Sequence, residues 1–282
     1  MKKILLPTDF SENAFNAMCY AVELLQSTTC IFFIVHAYTP ALYRVDYSMG
    51  SPGKFGLPDD HQHLAETTLD KIVKRLRKLY PNPKHTYVPH AAFNTLDDEM
   101  CSVVKNENID MIIMGTQGAT GAKEVLFGSN TVHIFRKVGI PVLAVPSTYK
   151  FSALKEIAFP TDYEIDYKRT ELDVILWLSK IWESKINVIH VTAPQGLTSE
   201  QKKYKRALEK MIKDTPHQVH DLPDQELINA INVFQERVPF GLLVMVKNKH
   251  SFLERLFVEP VIRNIGLHSN VPFLVLPYKS KS

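Results

Sequence analysis

The sequence predicts an α/β protein built from two tandem, doubly wound, parallel-sheet domains. Three observations predict it. Short apolar runs alternate with longer amphipathic segments along the chain. Most of those runs are near-continuous rather than alternating, as expected of strands covered on both faces by helices. The pattern also occurs twice. Ile4-Leu5-Leu6-Pro7-Thr8-Asp9-Phe10 returns as Ile157-Ala158-Phe159-Pro160-Thr161-Asp162-Tyr163. Ile31 to His36 returns as Ile186 to His190, Met111 to Met114 as Leu242 to Met245, and Ile140 to Pro146 as Val271 to Pro277. Matches in the same order imply two copies of one domain, 1–149 and 150–282, with a seam near Ser147 to Leu154. A chain of 282 residues suits two domains of roughly 140 each.

In the first copy, residues 3–6, 30–37, 85–89, 109–114 and 142–145 read as strands. Residues 12–26, 61–79, 96–107 and 130–137 read as helices, and Ser11 suits an N-cap for the first. The second copy predicts strands at 156–159, 185–191, 217–220, 242–246 and 272–276. Residues 38–60 break the pattern, with Pro40, Gly50, Pro52, Gly53, Gly56 and Pro58 marking a long loop. A loop of this length suits a lid, an interface or a mobile segment.

A net charge of +3 is too small for a concentrated nucleic-acid-binding face. The cluster Lys202, Lys203, Lys205, Arg206, Lys210 lies in a helical pattern and reads as a solvated face. Cys19, Cys30 and Cys101 are scattered without a C-x-x-C pair, which fits a reducing, cytoplasmic compartment. Pro7 and Asp9 interrupt the N-terminal apolar run too early for a signal peptide. No stretch is apolar for long enough to span a membrane.

The main candidate for a ligand site follows the run ending at Met114. Gly115 and Gly118 stand three apart, and Gly128 comes ten residues later, just before Ser129, Asn130 and a helical pattern. Glycine lets backbone N–H groups approach a phosphate closely. A helix start adds unpaired N–H groups and the positive end of its dipole. In open α/β sheets, ligands sit beyond the carboxyl ends of the strands, where strand order reverses. Asp9, Ala37 and Gly115 fall at three such ends. Asp9 also suits simple capping of the first helix, and Gly118 and Gly121 suit ordinary turns. Lys123 suits either neutralisation of a phosphate or a solvated loop position. His61-Gln62-His63 lacks further ligands at metal spacing. His36 and His190 close equivalent strands and read as structural. No P-loop and no G-x-G-x-x-G are present.

The Pro7-Thr8-Asp9-Phe10-Ser11 opening, the Val35-His36 strand end and the glycine spacing resemble the universal stress protein family. Its nucleotide-binding branch carries Gly, two residues, Gly, nine residues, then Gly followed by Ser or Thr. Gly115, Gly118, Gly128 and Ser129 reproduce that spacing. Both halves carry the resemblance, which implies a tandem member with two Rossmann-like domains of the adenine nucleotide alpha hydrolase-like type. It also implies ATP, with or without Mg2+, in the first half. Asp9 would meet the ribose and adenine end. Pro7, Ala37 and Met114 would border the base, Thr8 would belong to the same nucleotide site, and Gly115, Gly118, Gly128, Ser129 and Asn130 would hold the phosphates. The second half departs from this pattern. Val246, Lys249, Val258 and Glu259 replace Gly115, Gly118, Gly128 and Ser129, so no ATP is expected there.

Two functions stand. One is an ATP-binding regulatory or stress-response protein with a single site and at most slow hydrolysis. The other is a nucleotide-free stress-protective or interaction protein, with an apolar ligand pocket in the second half as one form. The resemblance further implies that the halves pair through residues 142–145 against 273–276. Association of two such chains into a homodimer is compatible with this.

Overall fold

The computed structural model describes residues 1–38, 59–116, 127–223, 225–247 and 271–278. The chain divides into two compact units, and the division falls between Val138 and Gly139.

The first unit runs β1 (Lys2–Pro7), α1 (Glu12–Leu24), β2 (Cys30–Tyr38), α2 (Asp59–Leu79), β3 (His85–Phe93), α3 (Leu96–Glu107), β4 (Met111–Gly115) and α4 (Ser129–Lys137). Its strands lie in the order β3-β2-β1-β4 and pair in parallel. The apolar centre of β1, Ile4, Leu5 and Leu6, is fully buried. That burial explains the continuous apolar run, since both faces of a parallel strand are covered. The start of β1 is fixed by Asp110. Its carboxylate accepts from the Lys3 N–H at 2.8 Å and from Lys2 Nζ at 2.9 Å. Its own N–H donates to the Lys3 carbonyl at 2.9 Å.

Helix ends follow their sequence signals. The Ser11 hydroxyl caps α1 by accepting from the Ala14 N–H, and Thr95 caps α3 by accepting from the Asp98 N–H. Asn108 ends α3 in the left-handed region at φ 52°. The strand beginning at His85 runs to Phe93, four residues past its expected end at 89. The ladder with β2 continues through His36↔Ala91, Ala37↔Ala92 and Tyr38↔Phe93.

The second unit contains β5 (Val142–Val145), β6 (Glu156–Pro160), α5 (Arg169–Trp182), β7 (Lys185–Val191), α6 (Ser199–Ile212), β8 (His217–Leu222), α7 (Leu227–Arg237), β9 (Leu242–Lys247) and β10 (Phe273–Pro277). Its strand order is β8-β7-β6-β9-β10-β5. Every pair is parallel except β5 with β10, which run antiparallel through Val142↔Val275, Leu143↔Leu274 and Ala144↔Phe273. The strand at 142–145, read with the first repeat, is therefore grouped with the second unit. The order of strands and helices from β6 to β9 repeats that from β1 to β4. Among the described residues no helix is long and apolar enough to cross a membrane.

None of the three cysteines forms a disulfide. Cys30, at the start of β2, is 1% exposed, and burial pushes its thiol up from 9.0 to about 12. At pH 8 its thiolate is therefore much scarcer than that of an ordinary cysteine. Iodoacetamide labelling of the native protein at pH 8, read by peptide mass spectrometry, should modify the half-buried Cys19 and Cys101 first. Cys30 should label only once urea opens the core. Equal labelling of all three thiols in the native state would contradict the buried placement of β2.

Candidate functional site

The turn after β1 is built from two successive side-chain hydrogen bonds to the backbone. Thr8 Oγ1 accepts from the Phe10 N–H at 3.0 Å, and Asp9 Oδ1 accepts from the Ser11 N–H at 3.0 Å and from the Ser11 hydroxyl at 2.5 Å. Between them Phe10 adopts a left-handed φ of 66°. A non-glycine residue there costs about 1 kcal/mol, which the two side-chain bonds offset. Ser11, not Asp9, caps α1; Asp9 braces the cap and keeps an exposed carboxylate at the rim.

The neighbouring strand holds this turn in place. The Thr8 N–H donates to the Val35 carbonyl at 2.8 Å. His36 Nδ1 lies 2.8 Å from the Thr8 carbonyl, so that nitrogen donates. The Phe10 ring stacks on His36 with centroids 4.0 Å apart, and Tyr38 extends the stack at 6.1 Å from His36. Ala37 lies between these rings in sequence and is half-buried.

On the other side of β1, the register Ile4↔Met111 and Leu5↔Ile112 brings Met114 level with Pro7, and both are buried. Gly115 closes β4 and is half-buried. Strand order reverses between β1 and β4, so the crevice between their ends is a topological switch point. Thr8 and Asp9 stand on one side of it, Gly115 and Thr116 on the other.

The glycine loop is closed at its neck. The Gly128 N–H donates to the Thr116 carbonyl at 2.7 Å. Thr131 Oγ1 lies 3.0 Å from the Gly115 carbonyl and 3.2 Å from that of Thr116. Gly128 is the N-cap of α4 with φ −65°, so its place here does not depend on a left-handed conformation. Its N–H is already used by Thr116. The donors left without an intrahelical partner at the start of α4 are therefore those of Ser129, Asn130 and Thr131. Ser129 and Asn130 are exposed, and no acidic side chain lies in that first turn. This is a helix start suited to an anion. Gly118, Gly121 and Lys123 lie outside the described residues.

Thr131 is the residue that sequence reasoning missed. It stands beside the glycine pattern, but its targets are the carbonyls of Gly115 and Thr116, fifteen and more positions away in sequence. Only its position in the first turn of a helix hinted at a side-chain role. His61 and His63 are both exposed on α2, and residues two apart on a helix point in widely separated directions. Among the described residues no three His, Cys, Asp or Glu groups are placed to hold a metal ion.

The second unit repeats the turn but fills the space beside it. Thr161 Oγ1 accepts from the Tyr163 N–H, Asp162 from the Glu164 N–H, and His190 Nδ1 donates to the Thr161 carbonyl at 3.0 Å. Tyr163 again has a positive φ, 56°. Here, however, residues 161–168 form a longer connection to α5 than residues 8–11 form to α1. Tyr163 and Tyr167 are buried within it, and the Tyr167 hydroxyl lies 2.8 Å from Thr161 Oγ1. Helix α6 covers the turn, with Gln201 Nε2 donating to the Asp162 carbonyl and Lys205 over the Tyr163 ring. Val246, the counterpart of Gly115, is buried in β9; Lys249, Val258 and Glu259 lie outside the described residues.

The profile of the Universal stress protein family matches residues 1–146, more than half of the chain. The chain belongs to the universal stress protein family. A universal stress protein of Methanocaldococcus jannaschii is 30% identical over 154 residues, which cover 51% of this chain and 94% of that protein. A second from the same organism is 28% identical over 153 residues, covering 53% and 84%. A solved universal stress protein from Archaeoglobus fulgidus superposes with a TM-score of 0.67 at 17% identity, covering 99% of this chain and 97% of that one. At that identity the likeness is one of fold, and it extends over both halves. The universal stress protein fold is thus present well beyond the residues that the family profile matches.

The neck of the loop gives a direct test. Thr131→Val keeps the side-chain shape and removes the donor to the Gly115 and Thr116 carbonyls. The Thr116 carbonyl keeps the Gly128 N–H, so loss of this one donor should lower stability by about 1 kcal/mol in urea titration. Thr131→Ser should recover most of the loss. A Thr131→Val protein as stable as wild type would show that the neck does not depend on this hydroxyl.

Proposed function

We propose that the first half of this universal stress protein binds one ATP and acts as a nucleotide-responsive regulatory protein. The observation that carries the reading is the convergence at the switch point between β1 and β4. An exposed carboxylate, Asp9, and a helix start free of acidic groups face the same crevice. The adenine and ribose lie toward Pro7, Thr8, Asp9, Ala37 and Met114. The phosphates lie toward Gly115, Gly118, Gly128, Ser129 and Asn130. The backbone donors at Ser129, Asn130 and Thr131 suit a polyanion. Each donor or dipole contributes about 1 kcal/mol, so affinity needs several of them together with burial of the base. Mg2+ would accompany the phosphates as their counter-ion, and no residue is assigned to it. Among the described residues no group is assigned to activate a water, and the reading is of hydrolysis that is at most slow.

The second half, residues 150–282, is read as a repeat of 1–149 that keeps the fold without the nucleotide site. Buried Tyr163 and Tyr167 and the covering helix α6 support this, in addition to the loss of the glycines in sequence. A role as an interaction module suits such a half. The reading places the protein in the cytoplasm, and it allows two chains to associate as a homodimer.

Isothermal titration calorimetry with ATP tests the site. Wild type should bind with a stoichiometry of one per chain. Gly128→Val, which introduces the second half's residue, should weaken binding at least tenfold. Unchanged affinity in that variant would refute the loop as the phosphate site, and two ATP per chain would refute the reading of the second half.

A further inference from the structure

Helix α4 is held at both ends. Thr131 fixes its first turn to the end of β4. Its last turns are held by carboxylates on α3: Asp97 Oδ2 lies 3.0 Å from Lys137 Nζ and 3.5 Å from His133 Nδ1, and Asp98 Oδ1 lies 4.0 Å from Lys137 Nζ. His133 and Lys137 are four residues apart and so lie on one face of α4. A single carboxylate spanning both restricts rotation of the helix about its own axis, which one contact cannot do. The Asp97 side chain is only 17% exposed, and its hydrogen bond raises the Lys137 ammonium above its ordinary range.

The anchor is itself fixed. Thr95 Oγ1 donates to Asp98 Oδ2 at 2.8 Å at the cap of α3. Glu99 accepts from Asn94 Nδ2 at 3.0 Å and lies 2.7 Å from His90 Nε2, tying α3 to the end of β3.

The second unit supplies an internal comparison. Helices α3 and α7 correspond residue by residue, since both begin with leucine, Leu96 and Leu227. Buried Met100 and Val103 then fall on buried Ile231 and Phe234. In that register Ile228, Asn229 and Ala230 replace Asp97, Asp98 and Glu99, and Ile228 and Ala230 are buried. Counting from the histidines that open β3 and β8, Leu222 takes the place of His90. The Thr–Asp–aromatic turn and its histidine persist in both halves. The carboxylates on α3 occur only in the half that keeps the glycine loop.

We propose that Asp97 is a positioning residue for the phosphate end of the nucleotide site. By gripping Lys137 and His133 it sets the axis and rotation of α4, and so aims the N–H groups of Ser129, Asn130 and Thr131 into the crevice. Lys137 lies about 9 Å along the helix from Thr131, so a small tilt at one end moves the donors at the other. The inference rests on the ATP reading of that crevice.

The test compares ATP with adenosine by calorimetry on the full chain. Asp97→Asn should weaken ATP binding about two- to fivefold, the range expected for the partly exposed Asp97–Lys137 ion pair. Adenosine affinity should stay unchanged, because the base and ribose side does not involve α4. Asp97→Glu should recover ATP affinity. If Asp97→Asn does not fold, as judged by its urea midpoint, Lys137→Met carries the same comparison. ATP affinity unchanged in the variant, or equal losses for ATP and adenosine, would overturn the proposal. A wild-type protein that binds ATP no more tightly than adenosine would instead overturn the phosphate reading itself.

Discussion

Everything at the rim depends on β1 being buried on both faces and hydrogen-bonded along both edges. Ile4, Leu5 and Leu6 have no exposed surface, with β2 on one side and β4 on the other. Parallel pairing to both neighbours brings three strand ends out at one level. The chain must then turn sharply after Pro7 to start α1. The turn that results, with Phe10 at a positive φ, is held by Thr8, Asp9 and His36. Loosening β1 would displace the carboxylate, the aromatic stack and the crevice together.

The duplicated chain separates what the fold needs from what the site needs. Thr161, Asp162, Tyr163 and His190 reproduce the turn in a half whose glycines are gone. Thr8, His36 and the backbone geometry of Asp9 are therefore parts of the fold first. The Asp9 carboxylate is exposed at its rim, as is that of Asp162. In the second half the same turn carries buried tyrosines and a covering helix, so its rim is packed with side chains. Among the described residues, the same set of elements gives a short turn in one case and, in the other, a longer one with buried tyrosines under a covering helix. The difference comes from a longer connection after the first strand and from the residues of one helix.

Much of this was legible in the sequence. Continuous apolar runs locate strands covered on both faces, because water must be excluded from each side. Ser11 marks a helix start because its hydroxyl can accept from the first turn. Element boundaries fall within a few residues of expectation, except that β3 extends to Phe93. Its polar and small residues at 90–92 give no apolar signal, yet they pair with the end of β2. The role of Thr131 was not legible, since a hydroxyl bonded to carbonyls far back in the chain leaves no local pattern. The pairing of 142–145 with 273–276 was expected from the family resemblance and is found, but its antiparallel register joins residues more than a hundred positions apart and leaves no local pattern.

The sequence by itself determined the repeat, the strand–helix alternation and the spacing of the glycines, because each is a local or periodic property of the chain. The tertiary structure decided which groups remain available at the rim. Gly128 gives its N–H to Thr116, and Ser11 rather than Asp9 caps α1. Tyr163 and Tyr167 fill the second rim, and Asp97 reaches across to α4. Those outcomes depend on which hydrogen bonds are already satisfied and which volumes are already occupied. Both are settled only when segments distant in sequence pack together.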